Sequence, residues 1–171
     1  MTPNALPDDL PEVNEVFAEF AAFFSGHLPG DGTIAHEDQL DRTRLDFSLE
    51  SLHVVDAYLE FLHAHRPEPL GQEWGRAMLW GGAYVGEVIR RHGKQRYDWV
   101  DYDDFVKEFP RTIEILGNEK GLGWCALLTF GRSGFTLPIN KLLRFLFEGS
   151  GESVYLYALH EVAPPEALAQ T

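Results

Sequence analysis

The sequence predicts an α+β fold, in which N-terminal helices pack on a small antiparallel sheet with one or two C-terminal helices. Apolar residues recur at helical spacing in three segments before Gly93. After Gly93 the apolar pattern alternates, and Tyr, Trp and Val become frequent, as in strands. The 171 residues fit a single domain spanning 1–171. The ends, 1–7 and 164–171, are rich in Pro and Ala, and we expect them to be flexible.

Three helices are predicted in the first half of the chain. They run from about Asp9 to Phe24, from the N-cap Ser48 to about His65, and from about Gln72 to Arg91. Residues 26–44 are rich in Gly, Pro, Asp and His, which predicts a long connection. The third helix contains Gly81, Gly82 and Gly86, and each costs about 1 kcal/mol relative to Ala. We therefore expect another element to pack closely on its backbone.

Strands and a further helix are predicted in the second half. The strands are Tyr97–Tyr102, a weaker one at Ile113–Leu116, and Trp124–Phe130, which is apolar on both faces and therefore central. Residues 135–137 begin a return strand or lead into a helix that starts at Pro138 and ends before Gly149. Residues 153–160 fit either a strand or a short helix, because Tyr155 and Tyr157 suit the former and Val154 and Ala158 the latter.

The charge is negative and unevenly distributed. The chain has 27 acidic and 14 basic residues, a formal net charge of −13, which disfavours nucleic acid and anionic membranes as partners. Residues 1–75 hold 15 acidic and 3 basic residues, a net −12, and residues 76–171 hold 12 and 11, a net −1. This asymmetry predicts either a solvated surface or an acidic face for a protein with a basic surface.

Several classes of protein are disfavoured by what the sequence lacks. It has neither the basic and apolar regions of a secretory signal nor an apolar stretch of roughly 20 residues, so we expect a cytoplasmic protein. The single Cys125 excludes an intrachain disulfide, and its apolar neighbours predict a buried hydrophobe inside a strand. There is no Walker sequence, Gly-x-Ser-x-Gly or His-Glu-x-x-His, and no cofactor is predicted.

Two polar clusters resemble metal sites without completing them. The second helix carries four potential ligands on one stripe, namely His53, Asp56, Glu60 and His63. Glu60-x-x-His63 resembles half of a di-iron motif, but no second half lies on another predicted helix that could face it, and a solvated helix face is the favoured interpretation. Asp101, Asp103 and Asp104 are predicted to lie in an exposed turn, because Val106 and Thr112 occupy the positions where an EF-hand needs Gly and Glu.

One stripe of the third helix supplies the candidate binding residues: Arg76, Trp80, Tyr84, Glu87 and Arg91. Two large aromatic side chains here share a face with charges. Either a neighbouring element buries this face, with Glu87 hydrogen-bonded inside, or the face lines a cleft or a partner surface, since Trp, Tyr and Arg are typical interface anchors. The basic residues at the end of this helix, from Arg90 to Arg96, complement the helix dipole.

A resemblance covers roughly residues 45–100. It rests on Leu-Asp-Phe-Ser-Leu-Glu-Ser-Leu at 45–52, Gly-Ala-Tyr-Val-Gly-Glu-Val at 82–88, and Trp99 in a predicted strand. The stretch Gly-Ala-Tyr-Val-Gly-Glu at 82–87 is its most specific part. This pattern is similar to an uncharacterised family of small bacterial proteins with an L-D-[YF]-S-x-x-S-L helix and a G-A-Y-[LV]-G-E-V helix. The resemblance implies a bacterial origin, the same fold and an accessory or immunity-type role, and it supplies no catalytic residues.

Two functions from different classes are therefore expected. The first is a non-catalytic protein-binding domain, accessory or immunity-like, whose partner has a basic surface. Its basis is the lack of a catalytic motif, the acidic first 75 residues and the aromatic and charged stripe. The second is a small hydrolase in which Glu87 acts as an acid or base in a cleft beside Tyr84 and Trp80.

Overall fold

The structure, a computed structural model, describes residues 10–111, 121–130 and 134–162 and has the predicted α+β class. These residues form six α-helices: α1 Leu10–Ser25, α2 Leu52–His65, α3 Gln72–His92, α4 Tyr102–Glu108, α5 Pro138–Glu148 and α6 Val154–Val162. They also form three strands: β1 Asp98–Asp101, β2 Ala126–Thr129 and β3 Phe135–Thr136. Within this part of the chain, no helix combines the length and apolar character needed to cross a membrane.

Helix α3 lies at the centre of the molecule, and its glycines allow close packing. A Cβ on Gly82 would lie 2.6 Å from Ile139 Cγ1 and 2.7 Å from Ile139 Cα in α5. A Cβ on Gly86 would lie 2.1 Å from Cζ2 of Trp99 in β1. The expectation that another element packs on the glycine-bearing backbone is confirmed, because only a missing side chain leaves room for both neighbours.

The sheet is antiparallel in the order β1, β2, β3. All four residues of β2 are buried, which confirms the prediction of a central strand. Trp99 of β1 pairs with Leu128 of β2, is fully buried, and stacks on Phe17 of α1 with ring centroids 4.3 Å apart. Burial of these aromatic rings fastens the sheet to α1.

The prediction for Cys125 is wrong. Residues 122–124 form a 3-10 turn, and Cys125 caps that turn instead of lying within β2. Its side chain is partly buried. The run of apolar residues therefore begins in the turn before the hydrogen-bonded strand β2.

The acidic turn predicted around Asp101 is also wrong, because these residues begin helix α4. Asp101 is the N-cap, and its Oδ1 accepts a hydrogen bond from the backbone N of Asp103 at 2.8 Å. Carboxylates in the first turn suit the positive end of the helix dipole. Tyr102 and Phe105 are buried and pack with Leu127 of β2.

Three other predictions have defined outcomes. Helix α2 begins at Leu52, later than predicted, and Ser48 Oγ accepts from the backbone N of Ser51 at 3.1 Å in the turn that leads into it. Phe47, just before, has φ 64°. The ambiguous segment 153–160 is helical, within α6. The predicted flexible ends, the Asp9 N-cap and the strand at Ile113–Leu116 lie outside the described residues.

Candidate functional site

The candidate residues of α3 support the connection between α1 and α2, and Tyr84 holds its end. Tyr84 is fully buried. Its hydroxyl accepts from the backbone N of Phe47 at 2.9 Å and shares a hydrogen bond with Ser51 Oγ at 2.7 Å. Desolvation by burial raises the pKa of Tyr84, so the phenol stays neutral and available for both bonds. Tyr84 therefore fixes the positive-φ turn that precedes α2.

Trp80 and Arg76 hold the beginning of the same connection. Trp80 is 5% exposed and lies under Gly30, where a Cβ would come within 2.6 Å of the indole ring. The Arg76 guanidinium packs on that indole, 5.8 Å from the ring centroid, and donates to the backbone oxygen of Thr33. Trp80 and Tyr84 are thus covered by the protein's own chain, as expected if a neighbouring element buries this face of α3. A partner cannot contact them in this conformation.

Glu87 joins α3 to the first strand. It is 5% exposed, and its Oε1 accepts from Trp99 Nε1 at 3.0 Å and from Arg90 Nη1 at 2.9 Å. Arg90 in turn donates through Nε to the backbone oxygen of Tyr97 at 3.0 Å. A buried carboxylate without hydrogen-bond donors would destabilise the fold. Glu87 avoids this cost because it accepts from one charged and one neutral donor.

A cavity of about 340 Å³ opens beside Glu87 at the end of α3. Three arginines are among the residues that line it, namely Arg90, Arg91 and Arg96. The Arg91 guanidinium stacks over Phe47, 3.7 Å from the ring centroid. The cavity therefore concentrates positive charge in a protein whose net charge is −13.

The other side of the cavity is formed by Asn14 of α1 and Asp98 of β1. Asn14 Oδ1 accepts from the backbone N of Trp99 at 2.7 Å, and its Nδ2 donates to Asp98 Oδ1 at 3.0 Å. Arg96 Nε lies 3.1 Å from Asp98 Oδ2. Both cavity carboxylates, Glu87 and Asp98, already accept hydrogen bonds, so the arrangement suits binding of a charged group better than proton transfer.

Sequence reasoning missed Asn14, Tyr97 and Asp98 as members of this site. A signal was present for Asn14, which lies beside Val13 and three residues before Phe17, at the margin of the apolar face of α1. A polar residue in such a place needs hydrogen-bond partners when it is partly buried. No local pattern indicates that these partners come from a strand 84 residues later.

The stripe of α2 considered for metal binding packs against the C-terminal helices. Asp56 accepts from Ser153 Oγ at 2.6 Å and from the backbone N of Val154 at 2.7 Å, so it caps α6. His63 Nδ1 is 2.7 Å from the backbone oxygen of Leu146, and the His53 ring stacks on Tyr155 with centroids 3.9 Å apart. The predicted solvated face is therefore wrong for Asp56 and His63.

Glu60, the fourth member of that stripe, is exposed. Over residues 10–111, 121–130 and 134–162, no three His, Cys, Asp or Glu side chains are grouped so that they could hold a metal ion. Of the four candidate ligands, Asp56 and His63 are bonded to different partners and His53 stacks on Tyr155.

A second surface gathers carboxylates around Tyr58. The Tyr58 hydroxyl is buried and donates to the backbone oxygen of Ala35. Desolvation is the main cause that raises the pKa of Tyr58. The charge of Arg42 opposes this rise, and the smaller effects of Glu37, Asp38 and Glu73 add to it. Glu37 and Asp38 follow Ala35 closely in the chain, and the backbone N of Ala35 donates to the oxygen of Glu73, so the three acidic residues lie near one another. We call Glu37, Asp38 and Glu73 the acidic face.

The acidic face is only partly neutralised. Glu37 pairs with Arg42, which also donates to the backbone oxygen of Phe24 at 2.9 Å. Asp38 and Glu73 are exposed and have no ion pair within the described ranges. The backbone N of Ala35 donates to the oxygen of Glu73 at 3.1 Å, which joins the connection to the start of α3.

Comparisons of the chain with protein-family models, with curated proteins and with solved structures found no match.

Proposed function

We propose that the protein is a non-catalytic protein-binding domain that uses the acidic face to bind a partner with a basic surface. The observation that carries this proposal is that Glu37, Asp38 and Glu73 lie together around Ala35, which bonds both Tyr58 and the backbone of Glu73. Two of the three carboxylates, Asp38 and Glu73, are exposed and have no ion pair in the described chain. Clustered like charges repel one another, and a basic partner would relieve that repulsion and accelerate association.

The charge of the chain supports the same class of partner. A net charge of −13 favours a basic protein and disfavours nucleic acid or an anionic membrane surface. The resemblance of residues 45–100 to small bacterial proteins supports an accessory or immunity-like role. The single cysteine suits the cytoplasm, where we place this activity.

Capture from the bacterial host tests the proposal. Immobilised protein is exposed to lysate at low and at high salt, and bound proteins are identified by mass spectrometry. We expect one basic protein that is released by salt, because exposed charge pairs are screened. Its affinity should fall about tenfold or more in the double variant Asp38→Lys/Glu73→Lys, since like charges then face each other.

The matched control is Glu15→Lys/Glu19→Lys, which changes the net charge equally but alters exposed residues of α1. A partner that binds through the acidic face is retained by this control. Equal loss of affinity in both double variants would show attraction by net charge alone and would refute a specific acidic face.

The alternative is a small hydrolase with Glu87 as its acid or base, and the cavity that adjoins Glu87 favours it. Two observations weigh against it. Trp80 and Tyr84 do not line that cavity, and Oε1 of Glu87 already accepts from Arg90 and Trp99. Turnover of ester or amide substrates by the wild type that disappears in Glu87→Gln would support the hydrolase, provided that the variant stays folded.

A further inference from the structure

The cavity at the end of α3 is a second candidate site, and it shares no residue with the acidic face. Its volume of about 340 Å³ falls in the range of small-molecule sites. Arg90, Arg91 and Arg96 line it, together with the carboxylates of Glu87 and Asp98. The formal charge of these five side chains is 3 − 2 = +1, the opposite of the sign of the whole protein.

The helix dipole alone does not account for this arrangement. The side-chain hydrogen bonds of Arg90 go to Glu87 and to the backbone oxygen of Tyr97, and Arg96 bonds Asp98. In the described chain, none of these bonds ends on the last carbonyl groups of α3. The guanidinium groups of Arg90 and Arg96 are therefore held by side-chain and strand contacts.

Arg91 supplies donors that the protein itself does not use. Its guanidinium stacks on the Phe47 ring at 3.7 Å, and it makes no side-chain hydrogen bond or ion pair to any described residue. Stacking fixes the plane of a guanidinium and leaves its N–H edge free for a planar or tetrahedral oxyanion. The Phe47 ring is itself held, since its backbone N donates to Tyr84 and its oxygen lies 2.8 Å from His92 Nε2.

We propose that this cavity binds the oxyanion group of a small molecule, a carboxylate or a phosphate, on the guanidinium groups of Arg91 and Arg96. Glu87 and Asp98 keep Arg90 and Arg96 oriented and limit the excess charge, which favours a ligand with a single anionic group. This inference is independent of the proposed protein-binding function, because it concerns a different surface and different residues.

The resonance of the Trp99 indole Nε1–H reports on this cavity, because that group donates to Glu87 Oε1. The full chain is titrated with sodium phosphate, sodium acetate or sodium sulfate against sodium chloride of equal ionic strength. We expect a saturable shift of the Trp99 resonance with at least one oxyanion and none with chloride. Saturation by acetate alone identifies a carboxylate ligand, and saturation by phosphate a phosphate-bearing one.

Two variants and a control locate the binding. Arg91→Gln removes a group that stacks on one ring, and Arg96→Gln one whose side chain is 85% exposed, so both variants should fold. Each should weaken oxyanion binding about tenfold, the effect of losing a charged hydrogen bond. Arg44→Gln removes the same charge from an exposed residue outside the cavity and should leave binding unchanged. No saturable shift with any oxyanion, or equal weakening in all three variants, would overturn the proposal.

Discussion

At the scale of single residues, the most constrained group is the Glu87 carboxylate. Its side chain is 7% exposed, and the Arg90 side chain opposite is 23% exposed. Removing one member of such a pair leaves the other charge without compensation, which costs more than the pair itself contributes. The bonds from Trp99 and Arg90 therefore make Glu87 a link between α3 and β1, and its substitution tests that link directly.

Replacing Glu87 with Gln should destabilise the protein by about 1–3 kcal/mol, because Arg90 loses its counter-charge while the geometry is kept. The midpoint of urea unfolding, followed by circular dichroism, measures this change. Glu15→Gln on exposed α1 is the control and should change stability by less than about 0.5 kcal/mol. Equal midpoints for the two variants would mean that the buried pair does not contribute to stability.

At the scale of elements, the glycines of α3 oppose helix propensity and favour packing. Gly82 and Gly86 admit Ile139 and Trp99 at distances that no Cβ allows. Gly75, in the same helix, has no such neighbour, since a Cβ there would lie 3.9 Å from Leu122 Cδ2. Substitutions at these three positions therefore distinguish the effect of helix propensity on stability from the effect of tertiary packing, within one helix.

Replacing glycine with alanine should change the free energy of unfolding in opposite directions at two positions of α3. Gly82→Ala should destabilise the fold by about 1–3 kcal/mol, because the new Cβ meets the backbone of Ile139 and α5 must shift. Gly75→Ala should stabilise it by about 0.5–1 kcal/mol through helix propensity alone. Thermal unfolding of both variants measures the contrast, and a stabilised Gly82→Ala would show that α5 does not pack there.

The capping of α6 by a residue of α2 gives a second prediction for an element. Asp56→Ala removes the acceptor for Ser153 Oγ and the backbone N of Val154, and should cost about 1–2 kcal/mol. Hydrogen exchange of the α6 amides should accelerate more than that of α3. Glu60→Ala, exposed on the same helix, is the control. Uniform acceleration across the molecule would instead mean that α6 unfolds only with the whole protein.

At the scale of the whole molecule, one long connection closes the structure over α3. Residues 26–51 contact Trp80, Arg76 and Tyr84 along their path, and Tyr58 of α2 bonds the backbone of Ala35 from another side. Hydroxyl groups of buried tyrosines thus join elements that are far apart in sequence. Their ionisation is coupled to unfolding of the molecule as a whole.

Alkaline titration should show this coupling. Burial raises the pKa of Tyr58, Tyr84 and Tyr157 in the folded protein above the ordinary value of about 10. A raised pKa in the folded state means that stability is fully present below about pH 10 and is lost as the pH rises further. Tyrosinate absorbance and circular dichroism, followed together, should change in one transition for these residues. Their ionisation while the circular dichroism stays native would contradict the coupling.

Much of the fold could be predicted because local patterns carry it. The helical spacing predicts α1, α3 and α5 to within a few residues, and the two-faced apolar run identifies β2 as central. Helix α4 was missed because its seven residues are too short for periodicity to outweigh the turn signal of their acidic start. For α6, Tyr155 and Tyr157 suit a strand, and the cap from Asp56 decides for the helix.

The sequence by itself determined the fold class, the excess of negative charge, and the need of α3 for close neighbours, because composition and spacing are local properties. Only the tertiary structure decided that Trp80 and Tyr84 are covered, and that Glu87 meets Trp99 beside an arginine-lined cavity. The physical reason is that a side chain with two possible environments, core or surface, is assigned by partners distant in the chain. Here those partners are the connection 26–51 and strand β1, whose positions no local pattern encodes.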